Sequence, residues 1–215
     1  MKKYIVEFIG TFFLVLVIGN TVIAPGDAGD MAPVAIGVSL MVMIFAGGHI
    51  SGGHFNPAVT LSVFLRGKCD IKDVVPYMAV QVGGAAAAAF TVMFLKGSEA
   101  MAAVTAMDLS KTVPQALLAE LLGTFALCYV ILNVATAKGT EGNSFYGLAI
   151  GFTVLCMAYA LGGYSGGAFN PAVAVGISLM GLAAWPNIWI YMAANFGGGA
   201  LAAIIFKLTN GPDEE

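Results

Sequence analysis

Two nine-residue stretches carry the residue types best suited to handling a small hydrogen-bonding molecule. They are Ser51-Gly52-Gly53-His54-Phe55-Asn56-Pro57-Ala58-Val59 and Ser165-Gly166-Gly167-Ala168-Phe169-Asn170-Pro171-Ala172-Val173. They differ at one position, His54 against Ala168. Asn is a favoured helix N-cap, and Pro suits the first helical position, where its missing N–H is not needed. Asn56-Pro57-Ala58 and Asn170-Pro171-Ala172 therefore each predict a helix start. The cap oxygen takes backbone N–H groups, and the amide NH2 remains to donate to a passing molecule. The glycines upstream let the backbone run with its carbonyls turned to one side. The carbonyls of Gly53, His54, Phe55, Gly167, Ala168 and Phe169 then form a ladder of acceptors.

The ionisable residues add little reactive chemistry. Glu7 and Glu120 are the only acids inside apolar spans. An acid in the membrane is a functional hypothesis by default, and a proton relay is the sharper reading. Their matched placement points instead to bracing, each carboxylate accepting hydrogen bonds from the loop of its own half. His49 is read as a third loop brace in preference to a pH gate, since His titrates near neutrality only where water reaches it; His54 lies within the loop and adds to the brace. Cys69, Cys128 and Cys156 show neither metal-ligand nor disulfide spacing. There is no nucleophile beside a base, no metal cluster and no phosphate loop. No catalytic residue, metal or cofactor is expected, and an enzyme is the reading with least support.

The elements that position these stretches are apolar. The chain is 59% hydrophobic and 10% charged over 215 residues, against about 25% charged in a soluble domain. The composition is that of a polytopic protein whose solvent is a lipid bilayer. The scattered basic residues and net charge of −3 give nucleic-acid binding no support. Lys2-Lys3 and the apolar run to Ala24 look like a secretory signal, but a run of about 20 residues is too long for one.

The chain also repeats itself. Glu7-Phe8-Ile9-Gly10-Thr11-Phe12 recurs as Glu120-Leu121-Leu122-Gly123-Thr124-Phe125, 113 residues on. Ile36-Gly37, Asn56-Pro57-Ala58 and Gln81-Val82-Gly83-Gly84 recur at an offset of 114 as Ile150-Gly151, Asn170-Pro171-Ala172 and Asn195-Phe196-Gly197-Gly198. A single all-α domain, residues 1–215, made of two halves, 1–100 and 111–210, follows.

Transmembrane spans are predicted near Tyr4–Ile23, Pro33–Ala46, Val74–Leu95, Val113–Ala137, Ser144–Leu161 and Trp185–Lys207. Short helices are predicted near Asn56–Arg66 and Asn170–Met180. Each short helix covers roughly half of a 30 Å hydrocarbon core, so it enters the bilayer without crossing it. Three spans per half invert the second half relative to the first. With both termini cytoplasmic, Lys2, Lys3, Arg66, Lys68, Lys72, Lys138 and Lys207 lie inside, and only Lys96 and Lys111 lie outside. The two half-helices then point their N-termini, each carrying roughly half a positive charge, at one place near the midplane. Cations are repelled there, and a water accepting from both Asn amides is removed from any continuous proton wire.

Two Asn-Pro-Ala boxes, inverted halves and a Glu-x-x-Gly-Thr opening each half resemble the major intrinsic proteins, the aquaporins and aquaglyceroporins. The resemblance runs from Glu7 to about Lys207. It implies six tilted helices with two re-entrant half-helices in a right-handed bundle, and a homotetramer with one pore per subunit. It also implies a second constriction on the outer side, carried over to Ile36, Ala158, Gly167 and Val173, with Tyr159 as the alternative to Ala158. Here the chain departs from the family. The usual Arg is Val173, the usual aromatic is Ile36, and Ala158 stands where water-specific members place His. The constriction implied is apolar and wide.

The reading that follows is a passive channel in the cell membrane for water and small uncharged solutes. Glycerol, urea, ammonia and undissociated metalloid hydroxides all fit, and ions and protons are excluded. An apolar constriction that closes by drying competes with it. So does a non-conducting structural membrane protein that retains the channel fold. An energised transporter would want paired ionisable residues facing the lumen, and the sequence offers none.

Overall fold

The computed structural model describes residues 1–211, among which the regular structure is helical apart from one isolated bridge between Met107 and Ala183. Eight α-helices follow one another: α1 (Lys2–Val22), α2 (Ala32–Ser51), α3 (Pro57–Leu65), α4 (Ile71–Ala102), α5 (Val113–Thr136), α6 (Tyr146–Ser165), α7 (Pro171–Leu179) and α8 (Ile188–Asn210). Among the described residues, six helical segments are long and apolar enough to cross a membrane. Helices α3 and α7 are not. At nine residues each, they extend about 14 Å.

Packing repeats with the sequence. Helix α1 packs on α4 as α5 packs on α8, and α1 on α2 as α5 on α6. The short helices cross over, α3 against α8 and α7 against α4, while α2 meets α6 and α3 meets α7 on the symmetry line. Small residues permit these approaches, as they do wherever helices pack in lipid. A Cβ on Gly84 would fall 2.5 Å from the Phe8 carbonyl oxygen, and one on Gly198 would fall 2.6 Å from that of Leu121. A Cβ on Gly37 would fall 2.6 Å from the Gly151 carbonyl oxygen. Each repeat of the sequence therefore supplies its own helix seam.

Polar ties hold the two ends of the bundle. On the face that carries the start of α1 and the end of α8, the terminal face, Lys3 Nζ and Tyr4 Oη donate to Asp73 at 2.5 and 2.7 Å. On the opposite face, the far face, the Lys96 ammonium donates to the carbonyls of Asn20, Ile23 and Pro25 at the end of α1. A cation there satisfies carbonyls that have no helical partner. The 103–112 loop reaches the 181–187 loop through Met107 N–H to Leu182 O at 2.9 Å and Ala184 N–H to Met107 O at 3.2 Å. Within it, the Ser110 backbone N–H and hydroxyl donate to Asp108 and hold that carboxyl below the usual carboxylate range.

Three helices run longer than their apolar patterns predict. Helix α2 continues through Gly47-Gly48 to Ser51 and stops only at Gly52, in the left-handed region at φ 89°. Its counterpart α6 runs through Gly162-Gly163 to Ser165 and stops at Gly166, φ 88°. Glycine pairs read locally as breakers, yet Gly47 lies against Val6 with no room for a Cβ, so packing keeps it helical. Helix α4 starts three residues before the predicted Val74, where Asp70 accepts from the Lys72 N–H at 3.1 Å and caps it. At its other end the helix passes a break at Gly97, φ 80°.

The adjacent pair Gly83 and Gly84 separates seam packing from helix propensity. Gly84→Ala is expected to lower the melting temperature of the detergent-solubilised protein by the equivalent of about 1–3 kcal/mol of overpacking. Gly83→Ala, whose Cβ would meet nothing closer than 3.8 Å, is expected to leave it unchanged or slightly raised.

Candidate functional site

Both Asn-Pro-Ala boxes start a helix. Asn56 Oδ1 accepts from Ala58 N at 2.8 Å and Val59 N at 3.4 Å; Asn170 Oδ1 accepts from Ala172 N at 2.9 Å and Val173 N at 3.4 Å. Pro57 and Pro171 open the two helices. The amide nitrogens do something the sequence does not announce. Asn56 Nδ2 donates to Phe169 O, and Asn170 Nδ2 donates to Phe55 O, each at 2.9 Å. The two loops are thus clasped reciprocally, and each amide keeps one N–H for another acceptor.

This alters the acceptor ladder predicted along the loops. The Phe55 and Phe169 carbonyls, expected to face a lumen, each commit a lone pair to the opposite Asn. Their backbones are left-handed, at φ 49° and 47°, which costs a side-chain-bearing residue roughly 1–2 kcal/mol. The rings anchor that conformation. Both are 1% exposed, and each packs against a glycine of the opening helix, Phe55 on Gly10 and Phe169 on Gly123, where no Cβ would fit. The glycines of the repeated Glu-x-x-Gly motif therefore exist for the loops.

The glutamates of that motif satisfy the loop backbone. Glu7 Oε1 accepts from Ser51 Oγ at 2.7 Å and His54 N at 3.0 Å; Oε2 accepts from Phe55 N at 2.6 Å and Gln81 Nε2 at 2.8 Å. Glu120 Oε1 accepts from Ser165 Oγ at 2.6 Å and Ala168 N at 2.9 Å, and Oε2 accepts from Phe169 N at 2.7 Å. The Asn195 amide is assigned with its nitrogen 2.9 Å from Glu120 Oε2 and from Thr124 Oγ1, and its oxygen 3.0 Å from Asn170 N. Tyr77 and Tyr191 donate to Ser51 O and Ser165 O at 2.7 and 2.6 Å. Nothing local in the sequence marks Gln81, Asn195, Tyr77 or Tyr191 as functional. Their recurrence at an offset of 114 is the signal that finds them.

The histidines part company. His54 is buried, with Nδ1 3.1 Å from Thr60 Oγ1 and its ring edge-on to Tyr77 at 5.1 Å. Its counterpart is Ala168, so this half alone has the contact. His49 is exposed in the last turn of α2 and makes no side-chain hydrogen bond to a described residue. The helix that runs on past Gly47-Gly48 carries His49 in its last turn, without the hydrogen bond to the loop that bracing would need.

Two cavities flank the clasp. One, of about 550 Å³, extends from the far face and is walled by both Asn residues and by Ile36, Ala158, Gly167 and Val173. Ala158, not Tyr159, faces it. Tyr159 is 52% exposed, and its hydroxyl donates to Asp30 O at 2.6 Å. Most other side chains in this wall are aliphatic, and no Asp, Glu, Lys or Arg among the described residues lines it. The second cavity, of about 880 Å³, opens on the terminal face and is polar, with Lys3, His49, Asp73, Lys138 and Glu141 in its wall. His54 and Ile131 line both. Together the cavities mark a track past the paired amides.

A helical bundle with two half-length helices meeting inside it, each capped by an Asn in a cavity wall, defines a class: a multi-pass membrane channel for water and small solutes. The chain belongs to the major intrinsic protein family, whose model matches residues 1–206. It is 34% identical to a glycerol uptake facilitator-like protein of Lactiplantibacillus plantarum over 99% of this chain and 100% of that one. It is 36% identical to an aquaporin of Oryza sativa subsp. japonica over 100% of this chain and 78% of that one. It is 34% identical to an aquaporin of Methanothermobacter thermautotrophicus over 97% and 95%. The solved aquaglyceroporin of Plasmodium falciparum shares the fold, with a TM-score of 0.78 over 95% of this chain and 94% of that one at 23% identity.

Glu120→Gln tests the loop network. A glutamine turns one of two acceptor oxygens into a donor that faces N–H donors. Melting of the solubilised protein is expected to fall by the equivalent of about 1–3 kcal/mol per donor left unpaired. Glu7→Gln, in the matching environment, is expected to fall by a similar amount.

Proposed function

We propose that the chain is a passive channel for water and small uncharged solutes of glycerol size, with urea, ammonia and undissociated metalloid hydroxides in the same range, and that it excludes ions and protons. One observation carries this: two reciprocally clasped Asn amides, each with an N–H to spare, stand in the wall of a cavity that no Asp, Glu, Lys or Arg among the described residues lines. A neutral molecule accepts from the amides while its carbon face lies on the aliphatic wall. An unpaired ion entering such a wall faces a desolvation cost of roughly tens of kcal/mol, and two helix N-termini add repulsion for cations. A water that accepts from both amides is taken out of a proton wire.

The far-side residues place no chemical demand on a permeant. Ile36, Ala158, Gly167 and Val173 line the cavity and offer no side-chain donor or charge, so nothing there demands that a permeant accept hydrogen bonds from the protein. The name of one relative, a glycerol uptake facilitator-like protein, agrees with a solute range wider than water. The span topology puts seven of the nine basic residues, among them Lys3, Lys68 and Lys138, on the terminal-face side, and the positive-inside rule assigns such a face to the cytoplasm. We place that face in the cytoplasm of a cell and the protein in the cell membrane as a homotetramer, one pore per subunit.

Purified protein in liposomes, shocked with sucrose, glycerol or urea and followed by light scattering, tests this. Faster water efflux than in empty liposomes, followed by re-swelling in glycerol, is the expected result. Water flow without re-swelling would restrict the permeant to water; no acceleration at all would favour the non-conducting structural protein. Val173→Arg, which adds a fixed charge and five donors to the constriction, is expected to slow glycerol re-entry at least several-fold while water flow persists. An unchanged glycerol rate would count against the assigned constriction.

A further inference from the structure

The repeat that builds the pore also builds a second ring in it. Offset by 114, the far-side set Ile36, Ala158, Gly167 and Val173 maps onto Ile150, Ile44, Gly53 and Val59. All eight residues wall the same cavity. Because the halves are inverted, the second set stands on the terminal-face side of the Asn clasp, at the mirrored depth.

The two rings differ in bore. The one unlike pair is Ala158 against Ile44, so the terminal-side ring carries three branched side chains and the far-side ring two. Exposure follows. Ile150, Ile44 and Val59 are 3%, 2% and 1% exposed, so a water-sized sphere scarcely reaches side chains that form the cavity wall. In the far-side ring, Ile36, Ala158 and Gly167 are all partly exposed, and only Val173 is buried. The glycines report the same asymmetry. A Cβ on Gly53 would lie 3.6 Å from Ile44 Cγ1, so the isoleucine reaches across to the loop backbone. At Gly167 the nearest atoms belong to Gly162 and Phe169, and Ala158 is not among them.

We propose that Ile44, Ile150 and Val59, with Gly53 opposite, form the size-determining ring of this pore, so that the limit on permeants is set beyond the Asn clasp, on the terminal-face side. The inference rests on the channel reading above. The ring offers only methyl groups and one loop backbone. It sorts neutral solutes by cross-section, not by hydrogen-bonding pattern, and Ile44 is the residue that makes it narrower than its mirror image.

Proteoliposomes carrying Ile44→Ala, Ile44→Val or Ile36→Ala, shocked with glycerol and with the larger polyol erythritol, test this. Ile44→Ala is expected to raise erythritol entry roughly tenfold, a barrier lower by about 1.4 kcal/mol. Ile44→Val should give a smaller gain in the same direction, and Ile36→Ala a gain smaller than that of Ile44→Ala. Water flow, read in the same vesicles, reports that each variant is folded and inserted; Ile44→Val keeps the test alive if Ile44→Ala fails that check. An equal or larger gain from Ile36→Ala, or no gain from an Ile44 variant that still conducts water, would overturn the proposal. Wild-type vesicles that pass no water would instead overturn the channel reading, and the ring with it.

Discussion

Backbone polar groups inside a bilayer must find partners within the protein, and the structure turns on how two irregular loops meet that demand. Residues 52–56 and 166–170 are neither helix nor strand, yet they lie in the middle of the bundle. Glu7 and Glu120 answer for them. Each carboxylate is 0% exposed and takes two backbone N–H groups and one serine hydroxyl from its own loop. A carboxylate is the side chain that offers several acceptor sites and no donor, so it can gather convergent N–H groups that no amide or hydroxyl could serve alone. With the loops satisfied, the half-helices can begin at mid-depth, and the Asn caps can face one another.

The two halves solve this problem almost alike, and they differ at a few side chains. Gln81 and Asn195 both donate to their glutamates, but the shorter Asn195 also reaches the backbone N–H of Asn170. Thr60 holds His54, whereas the matching positions are Ala174 and Ala168. Ile44 faces the lumen where its counterpart is Ala158. The scaffold positions, namely Ser51 with Ser165, Tyr77 with Tyr191 and Gly10 with Gly123, remain identical. Bundle seams and most of the loop bracing therefore obey the pseudo-twofold, and a few side chains around the loops and along the track between the halves depart from it.

The sequence discloses this arrangement unevenly. Asn56-Pro57 and Asn170-Pro171 announce helix starts because capping is local chemistry. The glutamates stand out because an acid in an apolar span is rare and these two recur in register. The extra turn of α2 past Gly47-Gly48 is hidden, because it depends on Val6 of another helix. The choice between Ala158 and Tyr159 is hidden as well, since adjacent residues on a helix differ by about 100° in direction and spacing alone cannot resolve them. The Asn clasp is the least visible of all. Each of its bonds joins residues more than a hundred positions apart, and no property of either stretch alone implies that its Phe carbonyl will be taken by the other.

That clasp bears on how the protein is made. A ribosome releases the first repeat well before the second, so the Asn56 amide and the Phe55 carbonyl enter the membrane with their eventual partners still unsynthesised. The first three spans can pack against each other, but their loop cannot close on itself. Completion waits for residues 169 and 170, which makes the arrival of the second repeat the step that finishes the lumen, and leaves a truncated first repeat with an unmated pair of polar groups at its heart.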